Sequence, residues 1–543
     1  MSAWRDLRHA MRGLGKNPGF TVVTVLTLAL GVGVSTAIFS IVNAVLLRPL
    51  PFNQPERLVR IWEEFSSEPL KKFPSSEVEF DYFRKENQVF AEVAEYSFVR
   101  LNLTGSAQPE VLQAAAVSPS LFRLLGVQPA LGRPFLPEED QPGKQNVILV
   151  SDATWHNRFG SDPHLLGRTL VLNDEPSTVV GIMPPGFRFP SRPDPEGNVE
   201  IWVPEVIDRA NPATVPWGRR GRRLFVIARR KPGVAIEQAQ SGMDSVGSQF
   251  HELYLDSFPA DATWGIKVVP MQESEVQEIR PALLVLAQAG GLVLLITCAN
   301  VSNLLLIHLQ KRKKEHAIRT AIGASHFQIV RRFVVDGLLF AVLGGALGIL
   351  FSAWGVRSLV TLAPPGIPRI DEARIDLRVL GFALAISLLA GVLTVLIPVF
   401  RSPRLNSFED LKEAANRTTG KPHGYRFRNV LVVAEIALAL VVLVGAGLLI
   451  KDFRHLQEID PGFQVKSLLT TRISLPGTKY KEAPQISGFY HQLLERVQAL
   501  PGVQAAGIVS QLPLSGTNSS HGILFEGGPM DPKKAYEVDF RFA

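Results

Sequence analysis

The sequence predicts a multi-pass α-helical membrane protein with about five transmembrane helices and an α+β domain outside the membrane. Three observations predict it. Five apolar runs, Phe20–Leu47, Ala282–Leu309, Phe333–Thr361, Leu377–Phe400 and Asn429–Ile450, each meet the length of roughly 20 residues needed to cross a bilayer. Lys and Arg collect beside these runs: Lys311, Arg312, Lys313 and Lys314 follow the second, and Arg401, Arg404, Lys412, Arg417, Lys421, Arg426 and Arg428 follow the fourth. Residues 49–281 hold no membrane-length run and alternate strand and helix patterns instead.

Composition agrees with that class. Hydrophobic residues make up 46% of the 543, and mean hydropathy is +0.14. A net charge of +7 would elsewhere suggest nucleic acid. Here the bases sit next to apolar spans, where each would cost about 3 kcal/mol at the bilayer centre, so they mark cytoplasmic loops and remove the case for nucleic-acid binding. The one cysteine, Cys298, lies inside a span, which excludes a disulfide framework.

Taken in order, residues 1–18 read as a cytoplasmic amphipathic helix, with Trp4, Leu7, Met11 and Leu14 on one face and Arg5, Arg8, Arg12 and Lys16 between them, suited to the membrane surface. Asn17-Pro18-Gly19 breaks it. Residues 19–48 form the first span, too long for the apolar part of a cleaved signal, with the N-terminus inside. The external domain, residues 49–281, opens at Arg48-Pro49-Leu50-Pro51. It is expected to hold a strand at Arg57–Trp62, a helix at Glu77–Phe90 and a strand at Val111–Val117. Near its end come a strand at Leu224–Arg229, the turn Lys231-Pro232-Gly233, a helix marked by Ile236, Met243, Val246, Phe250 and Leu253, and a strand at Ile266–Val269. Two β-α-β units thus flank a turn-rich middle, Leu170–Pro204, and the economical fold is a small α/β sandwich with an inserted lobe.

The remaining divisions are a second span at 282–309, a cytoplasmic loop at 310–332, a third span at 333–361, an external loop at 362–376, a fourth span at 377–400, a cytoplasmic linker at 401–428 and a fifth span at 429–450. Residues 451–543 are external again and repeat the first start: a span, a strand (Leu468–Ile473), a helix (Gln485–Leu500) and a strand (Val503–Val509). If Tyr536–Ala543 corresponds to Glu110–Val117, this partial second domain stops in mid-strand.

Within the loop at 310–332, Glu315–Ile322 reads as a short helix with Ala317, Ile318, Ala321 and Ile322 on one face. Gly323 ends it and Ser325 starts the next helix. Such a helix is marginal alone in water and needs a surface to dock on. Spacing leaves open whether that surface is its own neighbours or a partner. The run Glu315-His316-Ala317-Ile318-Arg319-Thr320-Ala321-Ile322-Gly323-Ala324 resembles the E-x-A-x-R-x-A-x-G-A signature of the MacB/FtsX-like permeases of ABC transporters. The resemblance implies that Glu315, Ala317, Ile318, Arg319, Ala321, Ile322, Gly323 and Ala324 form the coupling helix gripped by a separate cytoplasmic ATPase.

Arg48-Pro49-Leu50-Pro51, Val117-Ser118-Pro119 with Leu125-Gly126-Val127, Gly181-Ile182-Met183-Pro184-Pro185-Gly186-Phe187 and Lys231-Pro232-Gly233-Val234 are similar to the MacB-like periplasmic core domain. That likeness implies a porter-like lobe with a second lobe inserted. The whole order of spans and domains resembles the duplicated, acidobacterial-type permeases, which implies a homodimer, or a pseudo-dimer with a second half, in the inner membrane of a bacterial cell.

Catalytic, metal and cofactor sites are not expected. A phosphate-binding loop needs G-x-x-x-x-G-K-[S/T]. The nearest candidate, Gly420-Lys421, runs into Pro422 and lacks the earlier glycine. ATP hydrolysis therefore falls to a partner. Glu138-Glu139-Asp140 and Glu63-Glu64 read as solvated acids rather than a metal site, and Arg219–Arg223 as a solvated loop or a patch for an anionic partner or lipid head groups. In the spans, Gly31 with Ser35 and Gly344 with Gly348 have the spacing that lets helices approach closely. Asn300, Asn303 and Glu435 are polar groups within spans and so functional candidates. The expected function is that of a permease subunit that passes the work of ATP hydrolysis to an external domain, for export. The alternative is a mechanical regulator of a cell-wall hydrolase or sensor that transports nothing. An ATPase gene beside one for a membrane-fusion protein would favour export.

Overall fold

The computed structural model describes residues 12, 15, 17–65, 72–104, 110–190, 198–207, 221–254, 264–311, 326–363, 367–401, 423–459, 467–475, 479–480, 482–509, 520–523 and 536–539. Side chains are described within these except at 308–330, 332–333, 397–428, 456–457 and beyond 509. Most of the expected amphipathic helix at 1–18, the expected coupling helix Glu315–Ala324 and most of the linker at 401–428 lie outside the described residues.

In chain order, helix α1 spans Pro18–Val42 and continues as a π-helical turn, Asn43–Leu47. The external elements follow: β1 (Leu58–Phe65), α2 (Glu77–Glu86), β2 (Phe90–Thr104), β3 (Glu110–Val117), α3 (Ser120–Leu125), β4 (Leu131–Gly132), β5 (Val147–Val150), α4 (Asp152–Asn157), β6 (Thr169–Leu172), β7 (Glu175–Ile182), β8 (Ile201–Pro204), β9 (Phe225–Arg230), α5 (Ile236–Leu253), β10 (Trp264–Pro270) and α6 (Met271–Val276). Four long helices come next: α7 (Arg280–Lys311), α8 (His326–Leu362), α9 (Leu377–Arg401) and α10 (His423–Glu458). The last elements are α11 (Ala483–Gln498), β11 (Ser520–Ile523) and β12 (Tyr536–Asp539). Among the described residues, five helices are long and apolar enough to cross a membrane, with spans at Pro18–Leu47, Arg280–Ile307, Val334–Leu362, Leu377–Leu396 and Asn429–His455. The chain divides into two compact units, Met1–Arg48 with Val276–Ile459, and Pro49–Glu275 with Asp460–Ala543.

In the membrane unit, α1 is the central helix. Pro18 occupies its first turn, where a missing N–H costs nothing. Val25 and Leu28 of α1, Cys298 and Val301 of α7, Phe340 of α8 and Ala390 and Val395 of α9 form one buried cluster. Hydrophobicity alone gives little drive for helices to associate in lipid, so close van der Waals approach at small residues decides their neighbours. In α10 the apolar residues face outward: Val433, Ile436, Leu443 and Leu449 are all exposed in the protein and suited to lipid.

The external unit is built on one mixed sheet in the order β10-β1-β9-β2-β3-β8-β5-β7-β4, with β6 pairing β2 and β7. The β3–β8 and β5–β7 pairs are parallel, and the other pairs are antiparallel. Helices α2 and α5 cover one end, where Phe80, Phe83, Ala239 and Met243 pack on Val59, Ile61, Val226 and Ala228. The middle is filled by Leu58, Tyr96, Val117, Phe122, Leu149 and Trp202, and the far end by Leu112, Ile148, Leu170, Val179 and Ile201. The strands of the turn-rich middle therefore extend the same sheet through β3 and β8.

Two expectations need correction. The helix expected over Glu77–Phe90 stops at Glu86, because Asn87 turns extended and its side chain donates to Arg84 O while accepting from Phe90 N–H. Phe90 instead opens β2, a 15-residue strand. The strands expected at Leu468–Ile473 and Val503–Val509 do not form, although the helix between them does, as α11. A strand needs a ladder partner. β1 takes its partners from β9 and β10, far along the chain, and the described residues after 467 supply none to the equivalent segment.

Candidate functional site

The sites predicted in the spans fall on helix interfaces. Gly31 and Ser35, on one face of α1, meet α7. A Cβ on Gly31 would stand 2.8 Å from Thr297 Cβ, and the Ser35 hydroxyl donates to Gly290 O at 3.1 Å. Gly344 and Gly348 of α8 meet a different face of α1, where a Cβ on Gly344 would lie 2.6 Å from Leu28 Cβ and one on Gly348 would lie 3.1 Å from Ala29 O. The two stripes thus seat α1 against both flanking helices rather than against each other. The sequence reading missed the α8–α9 contact, where a Cβ on Gly391 would lie 2.6 Å from Ala341 Cβ and Gly337 is equally crowded. It also missed Ser302, whose buried hydroxyl donates to Cys298 O and, across to α9, Thr394 O at 3.1 Å. Small residues inside apolar runs were the available signal for both.

Asn303 of α7 and Glu435 of α10 come together, with Asn303 Nδ2 donating to Glu435 Oε2 at 3.5 Å. Asn300 lies half-buried on α7, one turn before Asn303. Helix α7 ends at Lys311 and α8 begins at His326, so the two helices flank in the chain the segment expected to dock on a partner.

Outside the membrane, several groups read as solvated are internal: Glu63, Glu139 and Asp140 are buried and Arg222 is half-buried, whereas Glu138 and Arg223 are exposed, and Arg219 and Arg220 lie outside the described residues. Ser76 caps α2: its hydroxyl accepts from Glu79 N–H, and Glu79 Oε2 accepts from Ser76 N–H at 2.6 Å. The other Glu79 oxygen accepts from Arg222 Nη2 at 2.9 Å, while Arg222 Nε donates to Glu63 Oε2 at 2.7 Å. Arg223 reaches Glu205 and Glu77 and donates to the Ser97 hydroxyl. Two consecutive arginines therefore tie α2 to β1, to β2 and to the end of β8. Burial and the neighbouring Glu79 carboxylate push Glu63 well above the usual carboxylate range, despite Arg222. Burial and then Glu205 do the same to Glu95. For Arg222, burial pulls downward, but Glu79 and Glu63 outweigh it and the guanidinium is held above its ordinary value. Glu139 pairs with Arg133 and caps its own 3₁₀ turn at Leu136 N–H. Among the described residues, no three metal-capable side chains gather at one point.

Two families match this chain. Residues 21–246 match the MacB-like periplasmic core domain, and residues 289–407 match the FtsX-like permease C-terminal domain. The chain is similar to the macrolide export ATP-binding/permease protein MacB of Hahella chejuensis, 24% identical over 298 residues, covering 54% of this chain and 42% of that protein. It is likewise similar to the protein of the same description from Chromobacterium violaceum, 26% identical over 300 residues with the same coverage, 54% and 42%. The chain spans less than half the length of these relatives. Among solved structures, the periplasmic region of MacB from Actinobacillus actinomycetemcomitans aligns with 41% of this chain and 92% of its own at 12% identity and a TM-score of 0.29. The extracellular domain of the noncanonic ABC-type transporter YknZ from Gram-positive bacteria aligns with 39% and 99% at 11% identity and a TM-score of 0.28. This protein belongs to the MacB/FtsX-like ABC permeases and carries a MacB-like periplasmic core domain.

Proposed function

We propose that the protein couples ATP hydrolysis by a separate cytoplasmic ATPase to movement of its periplasmic domain, and that the movement serves export. The observation that carries this reading is the run of the FtsX-like match over residues 289–407, which takes in the coupling segment together with most of α7, all of α8 and α9, and the first residues of the linker sequence. In this reading the ATPase grips Glu315, Ala317, Ile318, Arg319, Ala321, Ile322, Gly323 and Ala324. Closure of the ATPase displaces α7 and α8. Because α1 packs on both through Gly31, Ser35, Gly344 and Gly348, it moves with them. Helices α1 and α7 are also the helices that flank residues 49–275 of the external unit in the chain, at Arg48 and Val276, as α10 precedes its later part at Ile459.

Asn300, Asn303 and Glu435 act in this reading as polar ties between α7 and α10 rather than as a pore lining. The spans carry too few polar groups for a hydrophilic channel, which favours cargo handled on the periplasmic side. The unit is a homodimer or a pseudo-dimer with a second half, placed in the bacterial inner membrane with its N-terminus in the cytoplasm, as the positions of the Lys and Arg clusters support. A membrane-fusion protein is the partner expected on the outer side.

The test is recovery of partners from native membranes with the full chain and with Ile318→Asp, read by mass spectrometry. An ATPase recovered with the parent and lost with the variant supports the coupling assignment. Equal recovery with both places the docking surface elsewhere.

A further inference from the structure

The end of α1 is unusual for a membrane helix. Asn43–Leu47 is wound as a π-turn, closed by Arg48 N–H donating to Asn43 O at 2.8 Å. A π-turn carries one residue more than an α-turn and is found mostly as a single turn at functional positions. Nothing in Asn-Ala-Val-Leu-Leu demands it locally, so tertiary contacts must hold it.

Those contacts come from the short loop between α8 and α9. Asn43, only 3% exposed, donates from Nδ2 to Asp376 Oδ2 at 3.2 Å. The other oxygen of Asp376 accepts from Val379 N–H at 2.9 Å and caps α9. One turn earlier on α1, the Ser40 hydroxyl donates to Arg374 O at 3.1 Å. At the end of the π-turn, Arg369 Nη1 donates to Arg48 O at 2.8 Å. Arg369 also grips Glu372 through Nε and Nη2, and Glu372 pairs with Arg48 at 3.4 Å. Arg369 itself sits in the left-handed region, at φ 58°, a conformation that a non-glycine residue keeps only when its surroundings hold it there. Beneath these bonds, Val42 and Val45 pack with Val276, Leu283, Ile367 and Ala373.

We propose that Asn43, Arg369 and Asp376 are positioning residues that hold the last turn of α1 in its π form, and so fix the rotation at which the chain leaves the membrane for the periplasmic domain. The proposal rests on the reading of α1 as a transmitting helix and specifies where that transmission is set. Relaxing one π-turn to α geometry rotates everything beyond it by about 100° about the helix axis. A movement delivered along α1 is passed on in a defined direction only while the turn is held.

The test uses the full chain in lipid nanodiscs, with Cys298→Ser removing the native thiol and spin labels placed at Leu47 and Leu377. Both positions are exposed, at 53% and 85%, and neither takes part in the clamp. Asn43→Asp sets two carboxylates against each other. Asp376→Asn is tolerated, because the Asn43 amide can turn its oxygen toward the new donor. The double variant Asn43→Asp/Asp376→Asn restores one donor and one acceptor with the roles exchanged. On release of the turn, a label about 5 Å from the helix axis at the last residue of the turn travels several ångströms. The expected result is a shift of several ångströms in the pulsed-EPR distance for Asn43→Asp, the parent distance for Asp376→Asn, and a return to the parent distance in the double variant. An unchanged distance in Asn43→Asp, or no return in the double variant, overturns the proposal. Should Asn43→Asp fail to fold, Arg369→Gln replaces it with the same expected shift, and an unchanged distance there overturns the proposal equally. No ATPase enters this measurement, so its outcome is separate from that of the partner recovery.

Discussion

Arg60 of β1 donates to Glu275 of α6 across 2.7 Å, and both side chains are almost entirely buried. The same Nη2 reaches the Tyr96 hydroxyl at 2.6 Å, and the guanidinium lies over the rings of Trp62 and Tyr96. Trp62 adds a second bond to α6, from its indole to the Ser274 hydroxyl at 3.0 Å. The last helix of the periplasmic domain before the chain returns to the membrane is therefore fixed to the first strand after the chain leaves it. Burial pushes the Tyr96 hydroxyl up to about 12, so it stays neutral at any physiological pH.

Breaking this pair will free α6. Arg60→Met leaves the Glu275 carboxylate buried without its cation and is expected to cost about 3 kcal/mol. Glu275→Gln keeps an acceptor for Arg60 and is expected to cost about 1.5 kcal/mol. Hydrogen exchange of the amides at 271–276 reads both variants, and equal exchange in parent and Arg60→Met contradicts the assignment.

The double-arginine tie predicts a larger effect. Arg222→Gln leaves two buried carboxyl groups, Glu63 and Glu79, facing each other without a cation, for an expected loss of about 3–5 kcal/mol. Adding Glu63→Gln removes one of them and is expected to recover at least half of that loss. The reporter is exchange in β1 and α2. A double variant no better than Arg222→Gln would mean that the cost comes from the missing guanidinium contacts with Phe65 and not from charge.

Stability of the periplasmic domain is expected to fall as pH rises. Glu63 and Glu95 have folded values raised above the ordinary 4.5. The folded state therefore binds more protons than the unfolded state. Their contribution is complete below 4.5 and is lost as pH climbs through the raised values. Unfolding monitored by exchange between about pH 5 and 8 should show the decline, and Glu95→Gln, which mimics the neutral acid, should flatten it. Asp376 behaves oppositely. The Val379 N–H and then the Asn43 amide hold it below its ordinary 3.8, so its contribution is present above that value and lost as pH falls through the folded one.

Glycines in the spans should divide into two groups. Gly31→Ala forces a methyl against Thr297 and Gly344→Ala forces one against Leu28, each for an expected cost of about 1–3 kcal/mol through overpacking. Around Gly445 and Gly447 a Cβ meets nothing within 4 Å, so alanine at either is expected to stay within about 0.5 kcal/mol. Thermal stability of the purified full chain in detergent separates the groups, and equal behaviour of Gly31→Ala and Gly445→Ala counts against the packing described for α1.

Much of the architecture follows from the sequence alone. The length and apolarity of five runs, broken by clusters of bases that lipid excludes, determine the spans and the positions of the connecting loops. Local periodicity likewise determines α5 and α11, because an amphipathic helix carries its own hydrogen bonds. Tertiary structure decided what depends on distant partners. Phe90–Thr104 became a strand, and Leu468–Ile473 did not, because a strand exists only where a second one closes its ladder. Arg222 and Glu63, alike in sequence to any solvated arginine and glutamate, became an internal pair because folding brings residues 159 positions apart within 2.7 Å. The choice of neighbours for α1, and the π-turn at its end, were set in the same way: close packing and the α8–α9 loop select among conformations that the local sequence leaves nearly equal.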